Sequence, residues 1–242
     1  MYKSTVMIQY HHTTFAWSNY IPIIEDIVQS NNLHKILEIG GGANPVLSKK
    51  FVQQAKIEYT VNDIDAAELA KMKTSFPTDQ TNFATADFKM KTSYDFIFSK
   101  MVMEHVEAAT LFHRNIFQSL RPGGYAFHFF PCLGTLPLLA NYYLKESFAR
   151  KILPFFQNRN LNQHDKFPAF YRWCEGPTPK NINRFEKLGF KVKAYYGFYG
   201  HQYYKVIPPL HFLEQLKAKW LLKYPQAKLC VNAFVILKKP NK

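Results

Sequence analysis

The chain has 242 residues, 47% hydrophobic and 17% aromatic, which supplies a full core and excludes a disordered chain. No apolar run reaches the roughly 18 residues a membrane-crossing helix needs, and the start, MYKSTVMIQYHHTTF, lacks the layout of a secretory leader. The net charge of +14 is uneven: residues 1–130 carry 12 basic and 12 acidic side chains, residues 178–242 carry 13 and 2.

In chain order, residues 15–32 place Trp17, Tyr20, Ile23, Ile24, Ile27 and Val28 at helical spacing. Ile36, Leu37 and Ile39 form a short buried strand that runs into Gly40, Gly41 and Gly42, where bare backbone approaches a ligand. Pro45 suits the first position of a following helix. Strand, glycine turn and helix start together form the ligand crevice of an open α/β sheet. A dinucleotide loop wants a third glycine where Pro45 stands, which weakens a pyrophosphate reading. YTVND (59–63) is a second strand with Asp63 at its tip, placed to accept from ribose hydroxyls. NFATADF (82–88) is the third strand region and ends in Asp87–Phe88, a carboxylate for an adenine amino group beside a ring for the base.

YDFIFSKMVMEHV (94–106) reads as a buried strand, a polar turn at Ser99–Lys100 and a helix. A helix over 107–121 closes at LRPGG, which opens the fifth strand, YAFHFF. Residues 131–177 exceed an ordinary strand–helix connection and are rich in proline, tyrosine and phenylalanine, as recognition insertions are. Then come a helix (178–190), the strand FKVKAYYGFY, a helix begun by prolines (208–224) and a final strand (229–239). The last helix sets Lys217, Lys219 and Lys223 beside Leu216, Trp220 and Leu221, which suits a membrane surface or a docked helix with a charged outer face.

The set LEIGGGANP, VNDID, ADF, SKMVMEHV and LRPGG resembles the class I S-adenosylmethionine-dependent methyltransferases over most of the chain. The resemblance implies a Rossmann-like, seven-stranded, mostly parallel sheet with helices on both faces and the last strand antiparallel between the fifth and sixth. It implies a single methyltransferase domain over 1–242: a helical cap (1–32), a cofactor-binding half (33–130), a substrate lid (131–177) and a basic C-terminal region (178–242). It assigns Glu38, Gly40 and Gly42 to the methionine portion of S-adenosylmethionine, Asp63 to its ribose, and Asp87 and Phe88 to its adenine. The same correspondence brings Asn44, Ile64, Ser99 and Lys100 to the cofactor. Asn44–Pro45 departs from the family, where many members carry a third glycine.

Methyl transfer is an in-line displacement in which alignment supplies much of the acceleration, and a hydroxyl acceptor gains from a general base. His105, just past the fourth strand, is the candidate base; His128 reads as a core histidine, and His164 and His201 are further candidates to reach an acceptor. Tyr171 and Trp173, within an aromatic insertion that also carries Arg159, Lys166 and Arg172, and His201, after the sixth strand, are the expected substrate contacts. Cys132, Cys174 and Cys230 are unclustered in sequence and show no CxxC, so no disulfide framework or structural zinc is expected, and Cys132 reads as a small buried residue. No metal site is expected. The chain is read as a cytoplasmic O-methyltransferase of a small-molecule or glycan acceptor, with an acidic one favoured by the basic end. The alternatives are an RNA methyltransferase, a non-catalytic cofactor-binding subunit and, disfavoured by Pro45, a nicotinamide oxidoreductase.

Overall fold

The computed structural model describes residues 6–89, 92–135, 138–139 and 168–241. Eight strands form one sheet: β1 (Met7–His12), β2 (Lys35–Ile39), β3 (Glu58–Asn62), β4 (Thr78–Asp79), β5 (Tyr94–Lys100), β6 (Leu120–Pro131), β7 (Lys191–Tyr199) and β8 (Asn232–Lys238). Their order is β1-β7-β8-β6-β5-β2-β3-β4, parallel throughout except for β8, which runs antiparallel between β6 and β7. The α-helices with bounds among the described residues are α1 (Thr13–Ser30), α2 (Lys49–Gln54), α3 (Ala66–Ala70), α4 (Ala109–Ser119), α5 (Pro179–Lys187) and α6 (Pro208–Lys223).

Both faces of the sheet are buried, which is why its strands read as continuous apolar runs. Ile36, Phe96, Phe98, Phe127 and Phe129 point to one side with Ile24, Ile27 and Val28 of α1, Phe51 of α2 and Leu69 of α3. Leu37, Ile97, Ala126 and Phe130 point to the other, against Phe112 and Ile116 of α4, Phe185 of α5, and Ala218 and Leu221 of α6. Each fully buried ring contributes about 2–3 kcal/mol by leaving water.

The sequence expectation of a doubly wound sheet with an antiparallel last strand agrees with this fold. Four local details differ. β1 is an eighth strand, paired in parallel with β7 at the sheet edge. The strand after β3 is the two-residue β4, with 82–88 forming turns beyond it. Ser99 and Lys100 belong to β5 and pair with His128 and Phe129, and the expected helix after them is one 3-10 turn, Met103–His105. Pro45 lies in the loop rather than in a helix; α2 starts four residues later, where the Ser48 hydroxyl accepts from the Phe51 amide.

Two details place the site. Crossovers run outward from β2 through β3 to β4 on one side and from β5 to β6 on the other, so the chain reverses between β2 and β5. A crevice at such a switch point, outside the carboxyl ends of the strands, is where open α/β sheets hold ligands.

Candidate active site

The loop after β2 forms the floor of the crevice. Gly40 and Gly41 both donate to the Asn62 carbonyl, at 2.8 and 3.0 Å, tying the loop to the end of β3. Gly40 has φ +72°, and a Cβ there would lie 2.3 Å from Cγ2 of Val102 in the turn after β5. That contact brings the two sides of the switch point together. Gly42 has φ +46°, and its missing Cβ would lie 3.1 Å from Asp63 Oδ2. Asn44 donates its amide to the Gly41 carbonyl at 3.1 Å.

Glu38 is almost fully buried beneath this loop. Its Oε2 accepts from the Val46 amide at 2.9 Å and from the Tyr59 hydroxyl. Burial pushes its carboxyl up to about 7, against the opposing pull of these two bonds and of Lys100. The acid that the sequence assigns to a methionine portion thus also holds the loop closed, and Tyr59, which sequence reasoning did not single out, is its partner.

At the end of β3, Asp63 is half-buried and accepts from the Asp65 amide through Oδ1 at 3.0 Å. Burial raises its pKa, with Asp65 and Glu68 adding to the rise. Ile64 beside it is 62% exposed, an aliphatic side chain standing open at the crevice lip. The bend after β4 is held by Asn62, whose side chain donates to Asp79 and to the Thr81 carbonyl, and by buried Asn115 of α4, which donates to the Phe83 and Thr85 carbonyls at 2.9 Å. Phe88 packs on Phe83 with centroids 5.1 Å apart, and Asp87 is exposed next to it. Carboxylate, open isoleucine and a glycine loop without side chains fit the ribose, purine and methionine parts of an adenosyl amino acid.

The wall of the crevice comes from α1 and the end of β5. Trp17 and Tyr20 pack on Phe129 at 5.0 and 5.8 Å, and Lys100 Nζ lies 5.1 Å from the Tyr20 ring centre. Ser99 does not face the crevice: it is fully buried, with its hydroxyl 2.8 Å from His128 Nδ1. Its place in the regular part of β5, rather than in a turn, seals it under β6. Burial lowers His128 to about 3 and His113 well below its usual value, so both stay neutral.

His105 is exposed on the 3-10 turn, and its Nδ1 lies 3.0 Å from the Pro168 carbonyl. A carbonyl only accepts, so Nδ1 carries the hydrogen and the neutral ring has its lone pair on Nε2. The adjacent Glu104 is buried, and burial pushes its carboxyl up to about 8. The Glu104 carbonyl accepts from Phe170 and Tyr171 at 2.7 and 3.0 Å, fastening the 168–177 segment over this turn.

Tyr171, Trp173 and Met101 all have left-handed φ, at 50, 63 and 55°. Such non-glycine residues cost about 1–3 kcal/mol each and collect at ligand sites. Trp173 stacks on buried His113 at 5.2 Å, with the Arg184 guanidinium 5.7 Å from its ring, and its carbonyl accepts from Asn181. With Arg172 it lines a groove at the start of α4. His201 lies elsewhere. It is buried under α6, with Nδ1 accepting from Tyr203 and Nε2 3.5 Å from Glu214 Oε1, so it clamps that helix and is not open to an acceptor. Burial, Lys217 and His211 lower it to about 4.

The three cysteines, apart in sequence, are neighbours in space. All are buried, and the Cys132 thiol is pushed well up by burial and by nearby Cys230 and Cys174, which keeps it protonated. Among the described residues no group of three or more His, Cys, Asp or Glu is placed to hold a metal ion, and no helix is long and apolar enough to cross a membrane. His164 and the insertion residues Arg159 and Lys166 lie outside the described residues.

A family model described as a methyltransferase domain matches residues 11–193. No curated protein sequence matches significantly. Among solved structures, an S-adenosylmethionine-dependent methyltransferase from Clostridium acetobutylicum is similar at 9% identity and TM-score 0.53, covering 93% of this chain and 92% of that one. A SAM-dependent methyltransferase from Archaeoglobus fulgidus is similar at 15% identity and TM-score 0.53, with 93% and 99% covered. Coclaurine N-methyltransferase, bound to N-methylheliamine and SAH, is similar at 13% identity and TM-score 0.54, with 90% and 72% covered.

Proposed function

Because the chain belongs to the class I S-adenosylmethionine-dependent methyltransferase family, we propose that its crevice methylates a hydroxyl of a small-molecule or glycan acceptor, with His105 as general base. The observation that carries the base is the Nδ1 contact to the Pro168 carbonyl, which leaves the proton-accepting nitrogen as Nε2. When bound, S-adenosylmethionine supplies a methyl group already activated by its positive sulfur. The Gly40–Gly42 backbone and Asn44 line the methionine portion, Asp63 takes the ribose diol, and Ile64, Asp87 and Phe88 hold the purine. Lys100 closes the α1 side. Glu38 acts from below by holding Val46, so the loop is shaped before a ligand arrives.

His105 accepts the hydroxyl proton at Nε2 as the acceptor oxygen attacks, and its ring is held by the Pro168 contact throughout. Such a base contributes about a hundredfold or more to rate. Tyr171 and Trp173 present aromatic surface to the acceptor. Lys100 and Arg172 give an anionic group on it a place to pair, which supports an acidic acceptor. The experiment is a labelled-methyl transfer assay against matched pairs of acidic and neutral hydroxyl acceptors and their amine analogues. His105→Gln lowers kcat about a hundredfold with cofactor Kd unchanged; an unchanged kcat, or label entering only the amines, overturns this reading.

A further inference from the structure

The inward stripe of α6 is Glu214, Ala218 and Leu221, all buried. Glu214 faces His201 at 3.5 Å and also pairs with Lys217, and the two apolar residues join the core beneath the sheet. The opposite side carries a row of apolar residues outward. Phe212, Leu216 and Trp220, spaced four apart on one line, are 63, 45 and 55% exposed, and Leu213 beside them is 59% exposed. Scattered exposed apolar residues are ordinary, but a continuous stripe on one helix face marks a contact surface.

The charge around the stripe is of one sign. Lys217 lies on one flank and Lys219 on the other, Lys223 follows in the last turn, and Lys205 and Lys228 stand exposed at the two ends of the excursion. From residue 187 to 242 the one acidic side chain is Glu214, and it is buried. A second copy docked through this face would set lysine against lysine, and RNA offers no aliphatic surface to Phe212, Leu213 and Leu216. An anionic bilayer answers both features, taking the apolar stripe into the headgroup–acyl boundary and the lysines against lipid phosphates.

The topology also places this face. β7 ends at Tyr199 and β8 starts at Asn232, and Val231 donates to the Phe198 carbonyl at 2.7 Å, so the two ends of the excursion meet. They meet at the carboxyl edge of the parallel strands, the edge that holds the crevice.

We propose that the outward face of α6, the stripe Phe212–Leu216–Trp220 flanked by Lys217, Lys219 and Lys223, docks this protein on the surface of an anionic membrane. The proposal is independent of what the crevice methylates. The test is co-sedimentation of the full chain with phosphatidylcholine vesicles, with and without phosphatidylglycerol. Binding appears with the anionic vesicles, falls steeply with salt, and is absent with phosphatidylcholine alone. Leu216→Asp lowers it about tenfold or more, and Lys219→Gln and Lys223→Gln each lower it roughly fivefold. All three positions are exposed, and unchanged melting temperatures show that the variants fold. Three results overturn the proposal: no binding to anionic vesicles at low salt, binding that Leu216→Asp leaves intact, or a concentration-dependent dimer or RNA complex that Leu216→Asp abolishes while vesicle binding persists.

Discussion

The Tyr59 hydroxyl donates to the Glu38 carboxylate beneath the glycine loop, and the same carboxylate oxygen takes the Val46 amide. The two residues sit on adjacent parallel strands, β3 and β2, so sheet register fixes one side of the loop and Glu38 carries that order to the other. Tyr59→Phe keeps the ring, which stacks on Phe98 at 6.3 Å, and deletes the hydroxyl that donates to Glu38 and accepts from the Leu47 amide at 3.5 Å. Loss of a buried hydrogen bond to a carboxylate costs about 2 kcal/mol. Urea unfolding reads that loss directly, and calorimetry reads weaker S-adenosylmethionine binding from a loosened loop. A variant as stable as the parent would show that Tyr59 does not hold Glu38.

Buried carboxyls make the fold sensitive to alkali in a defined window. Glu104 and Glu38 keep their protons in the fold up to about 8 and about 7, against 4.5 for an ordinary glutamate. The stability this represents is complete below the unfolded value and is lost as pH rises through the folded values. The buried histidines act in the opposite sense and only below pH 6.5. His128 is held near 3 against 6.5, so it destabilises the fold only as pH falls below 6.5. Between pH 6.5 and 8 the carboxyls dominate, and unfolding free energy falls by about 1.4 kcal/mol per pH unit for each one still protonated in the fold and ionised when unfolded. Glu104→Gln removes the larger share of that slope. Urea titrations at several pH values check it, and an unchanged slope in Glu104→Gln would place the titration elsewhere.

The parts of this fold legible in the sequence are those with a local cause. β2, β5 and β6 are apolar runs because both of their faces are covered, and the glycine loop and Asp63 follow at fixed distance from β2. β1 was not legible: MIQYHH lies at the sheet edge with half of its residues open to solvent, so it lacks the apolar signature of its neighbours. Pro45 misleads for a physical reason, since Glu38 draws in the Val46 amide and delays the helix until Ser48 can cap it. The positions of Ser99 and His201 depend on what β6 and α6 bring against them, and the meeting of three cysteines depends on the end of β6, the 168–177 segment and the turn that leads into β8. No spacing along the chain encodes such contacts. Glu104 did leave a trace, an acid set among Met103 and Val106, which are both buried.

Gly40 separates two constraints that act on one atom. Its φ of +72° disfavours any side chain, and its missing Cβ would also sit 2.3 Å from Val102 Cγ2. Gly40→Ala therefore costs about 1–2 kcal/mol for the backbone and more for the collision. Adding Val102→Ala relieves the collision and leaves the backbone cost, so the double variant recovers part of the lost cofactor affinity. Thermal melts and calorimetry on the two variants check this order. A double variant no better than Gly40→Ala alone would mean that the switch point tolerates the contact.

Asp63 divides its two oxygens between fold and ligand. Oδ1 accepts from the Asp65 amide at 3.0 Å, just before α3, while Oδ2 lies beside Gly42 where a Cβ would crowd it. Asp63→Asn preserves shape and still offers an oxygen to Asp65, so stability changes little. What it removes is charge-assisted acceptance from the ribose hydroxyls, worth about 1.5–3 kcal/mol, or roughly a ten- to hundredfold loss of cofactor affinity. Asp63→Ala loses both bonds and lowers stability as well as affinity. Calorimetric Kd values beside urea midpoints separate the two effects. Should Asp63→Asn bind S-adenosylmethionine as tightly as the parent, the ribose must be held by another residue, and the crevice geometry derived from Gly42 and Ile64 would have to turn about that new anchor.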